Sequence, residues 1–312
     1  MLVKGRKRLV ELPSHAQTLL LRACLLNGSA GRRAWVEWRE KTQDPIGSIR
    51  RDDCGLRRIL PLLFLAAKNH RIEIGGLLVT ILRTAYVREH LRMKIYSKIL
   101  DQVLGAFAAE QIDAVILNGA ALAHSVYAQP RTRHCHDIDI LTTEDGIAKA
   151  QRVLPTIGFS QVIQDAHSAR FEHGSNLPVE LHTRLRYQRN VTSPFATIAA
   201  EGRDQTIGGH SVRVLGPVNS LLQIVSHPAA QERGLPLGAF CDATFVIQRT
   251  PSLDWTGLVD RARQQGLAEH IAPAFECMRD FLDAPVPGWV FDGPFQPRSG
   301  DEGPYRVSSS SD

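Results

Sequence analysis

The chain has 312 residues, 43% of them hydrophobic, 22% charged and 6% aromatic, with a net charge of +5 and a pI near 9.1. This composition excludes a disordered chain and indicates a folded protein of two or three subdomains. The mild positive balance favours an anionic partner, but it lacks the basic stripe and clustered aromatic platforms of a nucleic-acid binder.

From the N-terminus, the basic run Lys4 to Arg8 reads as solvated surface, as does the run Arg50 to Arg58, which also holds Asp52 and Asp53. Arg22 interrupts the apolar stretch Thr18 to Leu26, which argues against a signal peptide. Residues 1–112 are expected to be mainly helical, with apolar-rich segments at Leu60 to Lys68, Gly76 to Tyr86 and Ile95 to Phe107. Ile95, Ile99, Val103 and Phe107 recur at i, i+4 and predict a core stripe against the next region.

Residues 113–216 change to alternating strand and helix patterns. Asp113 to Leu117 reads as a buried strand ending in Asn118-Gly119-Ala120-Ala121, before a helix-like segment from Leu122 to Tyr127. Glycine at such a turn permits close backbone approach, and the unpaired amides opening the helix make a phosphate site. His134-Cys135-His136 invites a zinc reading. Neighbouring residues on a strand face opposite ways, however, and no second cluster exists, so zinc is set aside.

Asp137-Ile138-Asp139-Ile140-Leu141 follows. On a strand the two aspartates would share one face while the isoleucines enter the core. A paired carboxylate of this kind suits Mg²⁺, which takes oxygen ligands and keeps phosphates and waters for the rest. Thr143-Glu144-Asp145 then opens a helix ended by Gly158, with a hydroxyl N-cap and early acids that suit the dipole. Ala169 to His173 and Pro178 to Thr183 predict a hairpin across Gly174-Ser175-Asn176. Its second strand supplies a third acid, Glu180, and His182 on the same face, the latter either a phosphate or carboxylate contact or a plain strand histidine. Three such acids could hold two metals about 4 Å apart for in-line phosphoryl displacement. His210 to Leu215 adds another strand, giving a small mixed sheet with helices packed on it.

Residues 217–290 return to helical spacing over Val218 to Val225, Leu237 to Gln248 and Leu258 to Leu282. Within them Asp242 is either a polar contact toward the cleft or an ordinary surface acid. Residues 291–312, rich in Gly, Pro and Ser, read as a flexible tail. The five cysteines are scattered without C-x-x-C spacing. No run approaches the roughly 20 apolar residues of a membrane span, so a cytoplasmic protein is expected.

The order strand, Gly119, helix, Asp137-x-Asp139 and a later strand acid resembles the polymerase-β-type nucleotidyltransferase superfamily. More narrowly, the chain resembles an uncharacterised bacterial nucleotidyltransferase family over about Leu60 to Pro287, through Asn118-Gly119-Ala120-Ala121-Leu122-Ala123, Tyr127 to Arg133, Asp137 to Leu141 and Glu180-Leu181-His182. The resemblance implies an α+β fold, a small mixed-sheet nucleotidyltransferase core between N- and C-terminal helical regions. It implies an NTP substrate and Mg²⁺, with a two-metal site on Asp137, Asp139 and Glu180. The phosphates would lie against Asn118, Gly119, Ala120, Arg133 and His182. Two positions depart from the family pattern: Ala120 stands where a serine is usual in the superfamily, and Asn118 where a lysine is common in the narrower family. Arg131 or Arg133 would have to supply the missing cation. The acceptor, whether small molecule, peptide or protein, is not specified by any motif. A non-catalytic nucleotide-binding or antitoxin-like module of the same fold is the alternative. A nucleic-acid-end-modifying enzyme is disfavoured by the low aromatic content.

Overall fold

A computed structural model describes residues 12–51, 55–188, 194–226 and 235–291. The basic run 4–8, Asp52 and Asp53 within the second run, and the Gly/Pro/Ser-rich segment from 292 onward lie outside the described residues.

Five helices come first: α1 (His15–Leu25), α2 (Gly28–Lys41), α3 (Pro45–Arg51), α4 (Leu56–Asn69) and α5 (Gly76–Ala109). Ser14 opens α1 with a reciprocal cap, its hydroxyl accepting from the Gln17 amide while the Gln17 side chain accepts from the Ser14 amide at 2.8 Å. Two helices expected separately, Gly76 to Tyr86 and Ile95 to Phe107, are one helix of 34 residues. The polar segment between them is charged but contains neither Gly nor Pro, so nothing breaks it. At 1.5 Å per residue α5 reaches about 50 Å. It belongs to both cores: Leu78, Leu82 and Ala85 pack with the other helices, and Met93, Tyr96, Ile99, Val103 and Phe107 pack under the sheet. Ile95 does not join them and is 51% exposed. Steps of four residues overshoot a helical turn by about 40°, so a strict i, i+4 row rotates off the buried face within three steps.

The sheet has seven strands: β1 (Ala114–Ile116), β2 (Ile138–Thr142), β3 (Phe159–Gln164), β4 (Ser168–His173), β5 (Val179–His182), β6 (Arg203–Ile207) and β7 (His210–Val214). Their order is β3-β4-β5-β2-β1-β7-β6. β2 runs antiparallel to β1 and parallel to β5, while β1 runs parallel to β7, so the sheet is mixed. Both edge strands, β3 and β6, are absent from the sequence expectations. Edge strands need no alternating apolar face, and β6 is nearly all polar.

α6 (Asn118–Ser125) follows β1, α7 (Glu144–Val153) follows β2 and α8 (Pro194–Glu201) precedes β6. A 3₁₀ turn extends α7 to Ile157, and Gly158, at φ 91°, ends it in a left-handed cap. The C-terminal helices are α9 (Pro217–Val225), α10 (Leu237–Gln248), α11 (Trp255–Gln264) and α12 (Ala268–Leu282).

The two faces of the sheet serve different cores. Ile138, Ile140, Val179 and Leu181 face the far half of α5 together with Ile147 and Ala150 of α7. Leu141 on the opposite face joins the cluster that holds Trp38, Leu63, Phe240 and Phe275 of the helical regions. The candidate site lies on that second face.

Candidate active site

The site is built where β1 ends. The Leu117 amide donates to the Asp139 carbonyl at 2.9 Å, locking the end of β1 to β2. The chain then enters α6 through Asn118 at φ 37°, a left-handed conformation that asparagine tolerates better than most residues. Gly119 follows in a packed position. A Cβ there would already be in contact with the Arg133 guanidinium at 3.4 Å, the Tyr96 hydroxyl at 3.5 Å and the Asp137 carbonyl at 3.6 Å. Ala120 is buried and points into the sheet core.

Asp137 stands one residue before β2, which begins at Ile138, and its carbonyl accepts from the Tyr96 hydroxyl at 3.0 Å. Asp139 sits inside the strand and is 4% exposed. Parallel pairing sets Asp139 directly beside Glu180, and His182, two residues on, shares that face. His182 Nε2 lies 3.2 Å from Asp139 Oδ1 and 4.0 Å from Glu180 Oε2. Asn118 Nδ2 donates to Asp139 Oδ2 at 3.1 Å. Asp139, Glu180 and His182 each offer a ligand atom, all within 4.8 Å of one another. Asp137 stands outside this set and contacts His136 Nε2 at 3.3 Å.

Charge in the cleft is unbalanced. Burial, then the negative charges of Asp139 and Glu180, push the Asp137 carboxyl up to about 7. Burial also works against ionisation of Asp139, but its hydrogen bond to His182 and the positive charges of His182 and Arg186 hold its carboxyl below the usual range. His136 is not a compensating cation: burial and the charge of Arg58 push its imidazole down to about 4. Strongly shifted carboxyls close to one another mark a candidate functional site.

The arginines near Gly119 are engaged elsewhere. Arg133 donates to Asp242 of α10 from Nε at 3.0 Å and from Nη2 at 2.8 Å, and its Nη1 is directed at the His134 carbonyl and Cys135 Sγ. Asp242 is buried and also accepts from the Tyr127 hydroxyl at 2.6 Å. Arg131 donates to Gln129 and lies over the Tyr86 ring, 5.2 Å from its centroid. Neither arginine donates to the acid cluster in this structure.

Two participants escape sequence reasoning. Arg170 on β4 is the cross-strand neighbour of Glu180 and donates to Glu180 Oε1 from Nη1. Its position follows from the hairpin register, which the residues 174–178 connecting the strands do not state unambiguously. Glu89 of α5 is buried and contacts His134 Nδ1 at 2.8 Å. It lies 45 residues away from that partner, and no local pattern links them.

A family profile described as "Uncharacterised nucleotidyltransferase" matches residues 56–283, and the chain belongs to that family. No curated protein matches it. Among solved structures it is similar to the antibiotic-resistance factor ANT(2'')-Ia, at 13% identity and TM-score 0.43, over 57% of this chain and 97% of that one. It is also similar to an antigenic nucleotidyltransferase-like protein from Paracoccidioides brasiliensis, at 16% identity and TM-score 0.36, over 60% of this chain and 96% of that one.

Proposed function

We propose that this protein is a Mg²⁺-dependent nucleotidyltransferase that moves a nucleoside monophosphate from an NTP to an acceptor hydroxyl or phosphate. The observation that carries the reading is the gathering of Asp139, Glu180 and His182 donor atoms within 4.8 Å, near Asp137, whose carboxyl is pushed up by burial and by the charges of Asp139 and Glu180. Hard oxygen donors with excess negative charge fit a divalent cation. Asp137, Asp139 and Glu180 would hold it, and when bound it would neutralise charge on the triphosphate and lower the pKa of the acceptor.

The chain's own residues account for the remaining work. Amides at the start of α6, from Gly119 onward, bind phosphate through their free N–H groups and the helix dipole. In the transfer a bond forms between the acceptor oxygen and the α-phosphorus, the bond to the bridging oxygen breaks, and pyrophosphate leaves. Glu180 accepts the acceptor's proton after exchanging Arg170 for it. The helical regions face this side of the sheet and bound the space for the acceptor. Among the described residues no helix is long and apolar enough to cross a membrane, and Cys24, Cys135, Cys241 and Cys277 are free thiols. Both support the cytoplasmic placement that belongs to this reading.

A second reading, a nucleotide-binding module without transfer activity, is favoured by one observation. Asn118 places an amide against Asp139 where a family lysine would offer a cation. The two readings separate on pyrophosphate release from a panel of NTPs with Mg²⁺ and candidate acceptors. Release that requires both Mg²⁺ and Glu180 supports the enzyme; tight Mg²⁺-NTP binding without release for any acceptor supports the module.

A further inference from the structure

The donor set gathered on β2 and β5 contains a nitrogen. Mg²⁺ strongly prefers oxygen and gives up water reluctantly, whereas imidazole is a normal ligand for the first-row transition dications. His182 Nε2 points between the two carboxylates, 3.2 Å from Asp139 Oδ1 and 4.0 Å from Glu180 Oε2. Adjacent ligands on an octahedral ion with bonds of about 2.1 Å lie about 3 Å apart. The Asp139–His182 separation is therefore already that of two ligands on one ion, and Glu180 would join them through Oε2 by a side-chain adjustment while Arg170 holds Oε1. Glu180 and His182 share one face of β5, which brings Nε2 to 4.0 Å from Oε2, beyond hydrogen-bonding reach, and the three residues each offer a ligand atom to one set. Asp137 stands outside that set with a carboxylate 18% exposed, and it presents only oxygen.

We infer that the two halves of the cleft are chemically unequal. Asp139, Glu180 and His182 form a resident site that selects a first-row transition dication over Mg²⁺, while Asp137, sharing Asp139 as a bridging carboxylate, serves the Mg²⁺ that arrives with the nucleotide's phosphates. The second half of this statement rests on the nucleotidyltransferase reading; the first half does not.

The test uses the full chain without nucleotide and Mn²⁺ as the probe. Pulsed electron paramagnetic resonance of the Mn²⁺-loaded protein detects a ¹⁴N nucleus bonded to the ion. The inference expects that coupling in the wild type and its loss in both His182→Asn and His182→Gln, with circular dichroism confirming that each variant is folded. Mn²⁺ without ¹⁴N coupling in the wild type overturns it, and that measurement does not depend on any variant. Competition titration adds a second readout. Mn²⁺ should bind about tenfold or more tightly than Mg²⁺, and losing His182 should remove most of that preference. Equal affinities for the two ions in the wild type also overturn it. Full transfer activity with Mg²⁺ and no ¹⁴N coupling would remove the His182 site and leave the enzyme standing. Intact ¹⁴N coupling with no transfer to any acceptor would do the reverse.

Discussion

Arg261 meets Glu201 through two hydrogen bonds of 2.6 and 2.7 Å, and Asn219 and Tyr187 complete the group; the cleft beside β2 holds Asp137, Asp139 and Glu180 with one histidine among them. In the first cluster each charge has its opposite and each amide its partner. The interaction with Arg261 holds the Glu201 carboxyl below its usual range. In the second, burial and then the negative charges of Asp139 and Glu180 push the Asp137 carboxyl the other way, although Glu180 meets Arg170 and Asp139 meets His182. The first arrangement is complete as it stands and joins α8, α9 and α11. The second is held by the Arg170 and His182 contacts and the Asn118 amide, and its shifted carboxyls mark it as a candidate functional site.

The contrast is broken most severely by Glu180→Gln. If Glu180 takes the acceptor's proton and helps hold a metal, single-turnover transfer should fall by about 10² to 10⁴-fold, while NTP binding is largely retained. Transfer at the wild-type rate would remove Glu180 from the chemistry.

Next in size is the response of the metal-free protein to pH. Asp137 has an ordinary carboxyl value of 3.8 in the unfolded chain and about 7 when folded, so the folded state binds this proton more tightly. Its contribution to stability is then present in full below about pH 4 and is lost as the pH rises to about 7. Denaturant unfolding across that window should show a steeper loss in the wild type than in Asp137→Asn, and added divalent cation should offset the loss near pH 7. Superimposable pH profiles for the two proteins would contradict the charge imbalance.

The balanced cluster should respond in a different observable. Arg261→Ala removes the charged donor of Glu201, leaving it only the Asn219 amide, so unfolding free energy should drop by about 1–3 kcal/mol, with metal affinity unchanged. A change in metal affinity would mean the two clusters are linked. The smallest effect is expected from Arg170→Gln. The pair it forms with Glu180 is partly exposed, and such pairs contribute about 0.2–1 kcal/mol. Freeing Glu180 should therefore raise metal affinity by no more than about fivefold, measured by calorimetry.

Much of this contrast was legible in the chain and part was not, for physical reasons. Strand periodicity predicts Asp137 and Asp139 on one side of the backbone, whereas Asp137 stands one residue before β2; a glycine between an apolar run and a helical run marks the turn at Gly119. The adjacency of Asp139 and Glu180 depends on parallel pairing of β2 with β5, which no local pattern states. The partners that balance or fail to balance charge are more distant still: Arg133 and Asp242 are 109 residues apart, and Arg261 and Glu201 are 60 apart. Residue types announce a possible site, whereas charge compensation is decided by packing between regions. For the same reason the edge strands β3 and β6 escaped the period-two test, and α5 read as two helices because its middle is polar rather than broken.

The central claim is that the unbalanced cleft exists to hold a metal-bound nucleotide. Calorimetric titration of ATP into the wild type and Asp139→Asn, each with and without Mg²⁺, tests it most directly, because the substitution keeps the shape of the side chain and removes its charge. The account predicts Mg²⁺-dependent binding in the wild type and a strong loss of that binding in Asp139→Asn. Equal Mg²⁺-ATP affinity in the two proteins would contradict it.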